Sequence, residues 1–306
     1  MSKYSPRVIS RNPSVKPLRM LKEVGKNNVY PLGKFPLRVA INFGLRTPTC
    51  LKSVKEVEDS NGIVLNHPSV ILNASDKLQF KRIMQRSFIP TPIFQDCEEV
   101  INGGSLLNMQ YPLVAKLKRG SGGKGMVVIN TPKELDEFYK VNSSGVLRNY
   151  FIEEIFQPRM SRNYEFRIAA SPWLLSFVHT YVDITDQKNT ETSTGAFCIL
   201  RKRMKQEAVK DGSFGRNIAL GNSYFTKDLG LPKACDLEEG IDMVQRALVA
   251  CGLDFGAADV IYDSKKKIWT ILELNTAPSM GSSEEGYTLN QWKQALPKII
   301  NEKLAI

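Results

Sequence analysis

Asp254-Phe255-Gly256-Ala257-Ala258-Asp259-Val260 and, one turn later, Ile271-Leu272-Glu273-Leu274-Asn275-Thr276-Ala277-Pro278 form the most informative stretch of the chain. Phe255 to Tyr262 and Ile268 to Asn275 read as apolar strands joined by a turn over Asp263 to Lys267. With the turn centred near Lys266, residues equidistant from it pair, which sets Asp259 beside Glu273. Asn275 shares the face of Glu273, because side chains two apart on a strand point the same way. Two carboxylates and an amide oxygen converging from neighbouring strands are hard oxygen ligands of the kind that hold magnesium against nucleotide phosphates. Crowded there without a cation, the carboxylates repel each other. The competing reading is a solvated strand face, but Leu272 and Leu274 are expected to face the core, and Asn275 introduces a TAPSMG loop.

Upstream, Pro112 to Leu117 and Gly125 to Ile129 read as strands joined by Lys118-Arg119-Gly120-Ser121-Gly122-Gly123-Lys124. Glycine permits the positive φ values with which successive N–H groups can nest an anion; an ordinary flexible hairpin would look much the same. The loop is neither a Walker A nor a dinucleotide fingerprint, since Gly125 follows the lysine and a strand comes next. Lys116, among Val114, Ala115 and Leu117, faces either solvent or a bound phosphate, and the adjacent loop favours phosphate. Glu153 and Glu154 close the apolar strand Phe151 to Phe156, either as a hinge between lobes or as a plain polar strand end. Arg167, Arg201, Arg203 and Arg216 are candidate cationic donors to phosphoryl or carboxylate oxygens, set against the general surplus of surface basic residues.

Around these motifs the chain reads as α+β. Residues 1 to about 36 read as an arm, draped on the body or partly disordered. Leu37 to Phe43 reads as a first strand, and Thr47 to Asn66 gives only short, mixed signals, so residues 37–76 form a small, reduced lobe. Asn73 or Ser75 caps a helix carrying Leu78, Ile83 and Met84 and stopped by Ile89-Pro90-Thr91-Pro92. Thr131-Pro132 opens another helix. Residues 77–156 make one α+β lobe and residues 157–306 a second. In the latter, strands at Glu165 to Ala170 and Leu174 to Val182 precede a polar segment, 183–225, then a helix from Leu237 to Cys251 stopped by Gly252, and a terminal helix from about Leu289.

Composition narrows the function. The 306 residues carry a formal net charge of +11, with 42% hydrophobic and 24% charged residues, as in a globular protein with a sizeable core. That charge suits a phosphate- or carboxylate-rich partner: a nucleotide, a nucleic acid or an acidic protein segment. No apolar run approaches the roughly 20 residues of a membrane span, and the basic N-terminus lacks an apolar stretch, so a cytoplasmic protein is expected. Cys50, Cys97, Cys198, Cys235 and Cys251 are scattered outside metal-ligand spacing and read as reduced core thiols. His67 and His179 are too few and too far apart for a zinc site or a histidine-based nucleophile.

Taken in order, these segments resemble the ATP-grasp superfamily, closest to its branch of ribosomal-protein glutamate ligases and similar carboxylate-amine ligases. The match runs from about residue 62 to 283. Its motifs are Asn66-His67-Pro68, Ser75-Asp76-Lys77-Leu78 and Ile89-Pro90-Thr91-Pro92, with Phe88 replacing a usual glycine, then Tyr111 to Lys116 with Gly120 to Gly125, then Phe151 to Phe156 and Tyr164-Glu165-Phe166-Arg167, and last the strand pair quoted at the outset. The resemblance implies two α+β lobes clasping ATP after a reduced N-terminal α/β lobe. It implies Lys77 and Lys116 as phosphate ligands, with Ser121, Gly122, Gly123 and Gly125 lining a lid. Glu153 would stand at the hinge, Glu154 and Ile155 at adenine, and Glu165, where the branch more often has Asp, at ribose. Arg167 would stand on the γ-phosphate side, Arg203 and Asn217 in the next two elements, and Asp259, Glu273 and Asn275 on Mg2+, or Mn2+ in its place.

The implied reaction passes the γ-phosphoryl of ATP to a carboxylate and lets an amine attack the acyl phosphate. The acceptor is a small amine or an acidic protein or peptide tail. Two rivals are an ATP-grasp kinase and a non-catalytic basic module binding nucleotide or nucleic acid, the last disfavoured by the Asp259, Glu273, Asn275 set.

Overall fold

The computed structural model describes residues 7–9, 39–105, 107–120, 123–155, 163–174, 178–183, 188–193, 195–203, 223–225, 235–278 and 287–304. Strands β1 (Arg7–Ile9), β2 (Val39–Asn42) and β3 (Ile63–Leu65) form a parallel sheet in that order. Within the arm, Arg7–Ile9 is therefore ordered as a strand against β2. Parallel neighbours need a crossover, and helix α1 (Pro48–Glu58) supplies it between β2 and β3. The sequence reading missed this helix, although Thr47 caps it, Pro48 opens it, and Cys50, Val54 and Val57 bury one face at helical spacing.

Helix α2 (Leu72–Ser75) breaks at Asp76, which caps α3 (Lys77–Arg86) by accepting from the Gln79 N–H. The cap is thus Asp76 rather than Asn73 or Ser75, because the chain turns extended at Asp76. Phe88, just past α3, sits at φ +54° with its side chain 90% exposed. There follow β4 (Phe94–Asp96), α4 (Cys97–Ile101), β5 (Leu113–Leu117), β6 (Val127–Ile129), α5 (Pro132–Val141), α6 (Ser144–Leu147) and β7 (Tyr150–Glu154). The four strands form an antiparallel sheet in the order β4-β7-β5-β6. One face, with Leu113, Ala115, Ile129 and Ile152, packs on Leu135, Phe138 and Leu147 of α5 and α6. By strand alternation the other face carries Val114, Lys116, Phe151 and Glu153.

The second large sheet contains β8 (Asn163–Ala170), β11 (Ala196–Arg203), β12 (Ser223–Phe225), β13 (Gly256–Asp263) and β14 (Ile268–Asn275), ordered β12-β11-β8-β13-β14 and antiparallel. Strands β9 (Val178–Asp183) and β10 (Lys188–Ser193) pair as a hairpin, so part of 183–225 is regular, and Leu174 lies before β9 rather than in it. Helix α7 (Leu237–Cys251), with Asp236 as N-cap and Gly252 left-handed at its end, covers one face together with α3. Phe80, Met84, Ile241, Val244 and Leu248 pack there against Phe166, Ile168, Val260, Tyr262, Trp269, Ile271 and Leu274. The fit is close enough that a Cβ on Gly240 would lie 2.7 Å from the Trp269 ring.

Among the described residues, the opposite face is covered at one end. There Ala169, Phe197, Leu200 and Ala257 meet β2 and helix α8 (Tyr287–Leu304) through Val39, Ile41, Trp292, Leu296 and Ile300. A buried polar joint locks this end. Asp254 accepts from Asn66 N (2.6 Å), Trp173 Nε1 (2.8 Å) and Lys303 Nζ (2.6 Å), while Asn66 Oδ1 accepts from Asp254 N at 2.8 Å. Beyond Ala169 and Ala257 this face turns from apolar to charged.

Candidate functional site

That charged end is built by strand alternation. Glu165 and Arg167 continue the Ala169 face of β8, and Asp259 continues the Ala257 face of β13. On β14 the register is less simple. Near the turn Asp263 pairs with Ile268 and Val260 with Ile271, a hairpin centred between Lys265 and Lys266; a bulge between Asp259 and Val260 then brings Asp259 opposite Glu273. Leu272 is the extra residue. In an unbulged strand Glu273 would share the core face of Ile271; the bulge instead leaves Leu274 buried and sends Glu273 and Asn275 to the face of Asp259. Leu272 is only half-buried, not a core residue as its place in the pattern suggests, because it occupies the bulge.

Arg167, Asp259 and Glu273 are therefore cross-strand neighbours in one row. Arg167 grips Asp259 with both arms of its fork, Nε to Oδ1 at 2.7 Å and a terminal nitrogen to Oδ2 at 2.8 Å. Lys77, at the start of α3, donates to Glu273 Oε2 at 2.5 Å. The cations that such crowded carboxylates require are basic side chains here, Arg167 on Asp259 and Lys77 on Glu273.

The four-stranded sheet contributes Lys116 and Glu153, which are hydrogen-bonded. The side chain of Glu153 is 3% exposed and has a second cation, Lys81 Nζ, 3.0 Å from Oε2. Burial raises the Glu153 carboxyl, but Lys116 and Lys81 outweigh it and hold its pKa down at about 2. Burial pulls Lys116 down, while Glu153, Glu273 and Glu165 more than compensate and leave it raised. Those partners place Lys116 in the field of both sheets. Among the described residues, Lys77, Lys81, Lys116 and Arg167 thus gather with Glu153, Glu165, Asp259 and Glu273. Lys81 was not singled out in the sequence, though it lies three residues from both Leu78 and Met84, inside the apolar stripe of α3.

The glycine loop is tied to this cluster at its entry. The Lys118 carbonyl accepts from the N–H of Lys77 at 2.8 Å, and Arg119 bonds the Asp76 cap at 3.0 Å. Gly123 and Gly125 have φ of +73° and +70°, and a Cβ on Gly125 would lie 2.7 Å from Leu117 Cδ1, so glycine is needed there. Ser121, Gly122, Arg216 and Asn217 lie outside the described residues. Arg203 ends β11 opposite Ser223, and Lys202 takes the register position facing Glu165. Arg201 instead stacks on Tyr164, 4.9 Å from the ring centre. At the end of β7, the N–H groups of Glu154 and Ile155 are already bonded to the carbonyls of Ile93 (3.0 Å) and Pro112 (3.1 Å), and the Glu154 carboxylate accepts from Gln110 N at 2.7 Å.

The donor set fits a hard divalent cation in one respect and is incomplete in another. Asp259, Glu273 and Asn275 offer oxygens from one face, yet among the described residues no group of three His, Cys, Asp or Glu is arranged to hold a metal. Two carboxylates and an amide suit an ion whose remaining ligands are phosphate oxygens and water.

No protein-family model matches the sequence, and no curated protein matches it. The tertiary structure carries the likeness: this is the ATP-grasp fold, α+β. It is similar to a RimK-domain ATP-grasp protein from Sphaerobacter thermophilus DSM 20745 (12% identity, 95% of this chain and 99% of that one, TM-score 0.55). It is also similar to the ATP-grasp ligase PsnB complexed with minimal precursor (11%, 98% and 99%, TM-score 0.56). D-alanine–D-alanine ligase from Bacillus anthracis complexed with ATP is a third (14%, 98% and 97%, TM-score 0.54). Against a biotin carboxylase from Campylobacter jejuni the chain spans only about half the length, 53% of that protein. No helix among the described residues is long and apolar enough to cross a membrane.

Proposed function

We propose that the protein is an ATP-dependent, ADP-forming carboxylate-amine ligase. The observation that carries the reading is the convergence of Lys116 and Glu153 from one sheet with Lys77, Arg167, Asp259 and Glu273 from the helix and sheet opposite. Such a charge-rich cleft suits a polyphosphate: Lys77 and Lys116 bind its oxygens, and Gly123 and Gly125, with Ser121 and Gly122, form the lid over it. Glu154 and Ile155 lie along adenine, and Glu165 meets the ribose.

Asp259, Glu273 and Asn275 would hold Mg2+, or Mn2+, which supplies neutralisation of the charge developing on the transferring phosphoryl group. Metal coordination would compete with Lys77 and Arg167 for the carboxylate oxygens of Glu273 and Asp259, and both basic side chains stand where they can also bind phosphate oxygens. The substrate carboxylate oxygen attacks Pγ, the Pγ–O bond to ADP breaks, and an acyl phosphate forms. The amine nitrogen then attacks the carbonyl carbon, phosphate leaves, and the nitrogen loses a proton. Arg167, with Arg203 and Asn217, stabilises the oxyanion and departing phosphate. An acidic protein or peptide tail is the favoured acceptor, given the net charge of +11 and the fold shared with a ligase solved with a precursor. A soluble, cytoplasmic setting suits this chemistry.

ADP release with Mg2+ across a panel of carboxylates and amines, with hydroxylamine as trap, tests the reading. Hydroxamate formed by the wild type and lost in Glu273→Ala supports carboxylate activation. Phosphorylated product without hydroxamate indicates a kinase, and absence of nucleotide binding removes the reading altogether.

A further inference from the structure

Lys81 is an unusual residue to bury. Its side chain is 2% exposed, on the core-facing side of α3, where an apolar residue would avoid the cost of taking a charge out of water. Its Nζ donates to Thr91 Oγ1 at 2.9 Å, and Thr91 Oγ1 donates to the Ile271 carbonyl at 3.0 Å. The Ile271 N–H in turn donates to the Pro90 carbonyl at 2.9 Å. Lys81 is therefore fastened to β14 from below, immediately beside the bulge that aims Glu273. Its ion-pair partner Glu153 already has a full counter-charge in Lys116, whose side chain is 22% exposed and reaches the cleft. One buried carboxylate thus holds a fixed, fully enclosed ammonium on one oxygen and a more accessible one on the other.

We infer that Lys81 is a positioning residue that retains Glu153 as a buried ion pair, so that Lys116 can move from Glu153 to a nucleotide phosphate without stranding a bare carboxylate. The inference rests on the functional reading above, in that the ligand reaching Lys116 is a nucleotide polyphosphate. Without Lys81, moving Lys116 to phosphate leaves Glu153 buried and unpaired, and nucleotide affinity falls. The groups facing Lys81 are Glu153 of β7, Lys116 of β5 and Lys77 of its own helix. Burial, aided by Lys116 and Lys77 and opposed by Glu153, brings its pKa down to about 8.

The experiment measures Mg-ADP and adenosine affinity by calorimetry for the wild type, Lys81→Met, Lys81→Arg and Lys81→Met/Glu153→Gln, with folding checked by circular dichroism. Lys81→Met should bind ADP at least about tenfold more weakly, 1.4 kcal/mol per tenfold, with adenosine affinity unchanged. The double variant, having no carboxylate to strand, should recover most of that loss. Should Lys81→Met not fold, pH replaces it: wild-type ADP affinity falls as pH rises through about 8, where Lys81 loses its proton, and Lys81→Arg abolishes that fall. Wild-type affinity for ADP with an unchanged Lys81→Met, a double variant as weak as the single, or a flat wild-type pH profile overturns the inference alone. A wild type that binds no ADP overturns the functional reading together with it.

Discussion

Replacing Asp254 tests the joint that fixes the N-terminal sheet and α8 to the end of the large sheet. The residue is 5% exposed, and its carboxylate accepts from Asn66 N, Trp173 Nε1 and Lys303 Nζ. Asp254→Ala leaves two neutral donors without an acceptor and the Lys303 ammonium, which also donates to the Val64 carbonyl at 2.9 Å, without its counter-charge. Breaking a buried ion pair costs about 3–5 kcal/mol, and each stranded neutral donor about 1–3 kcal/mol. These are not additive, and the Lys303 side chain, 26% exposed, can lift its charge toward water, so the expected total is about 3–5 kcal/mol. Asp254→Ala/Lys303→Met removes the uncompensated charge and should recover about 1–2 kcal/mol of that. Urea unfolding followed by tryptophan fluorescence and far-ultraviolet circular dichroism reads both quantities. A loss under about 1 kcal/mol for the single variant, or a double variant no more stable than the single, refutes the assignment of this joint as a lock.

Two further outcomes follow from the same geometry. Phe88 holds a left-handed conformation while exposing its ring, so Phe88→Gly relieves strain without losing buried surface and should raise stability by about 1 kcal/mol; a lower melting temperature contradicts this. Glu153 has its carboxyl pKa depressed from 4.5 to about 2 in the folded protein, so its stabilisation is complete above pH 4.5 and is lost as pH falls through 2. The stability gap between wild type and Glu153→Gln should therefore narrow across that window, and a gap constant with pH is the contrary result.

Much of the candidate site is legible in the residues because it depends on local spacing. Two apolar strands around a polar turn, two acids and an amide at their ends, and a glycine run between strands each declare themselves within about 20 residues. Helix α7 declares itself in the same way, since Asp236 and Gly252 bracket a periodic apolar run. Helix α1 was equally readable from Thr47-Pro48 and the Cys50, Val54, Val57 spacing, and was missed only because the mixed composition around it obscured the period.

Other features are decided by contacts between distant segments. A symmetric hairpin about Lys266 leads to the Asp259–Glu273 pair, but the molecule reaches it through a turn centred half a residue earlier and a bulge at Leu272. Local pattern cannot fix that, because the burial of Leu274 against α7 and α3 settles which way the strand faces. The charge state of the site is likewise tertiary: Arg167 and Asp259 are 92 residues apart in sequence, and Lys77 and Glu273 are 196 apart. Lys81 is the sharpest case. In sequence it is one of many lysines in a basic chain; only the packing of α3 against both sheets encloses it with Glu153 and gives its charge a role, because the cost of an ion depends on the medium around it and not on its neighbours along the chain.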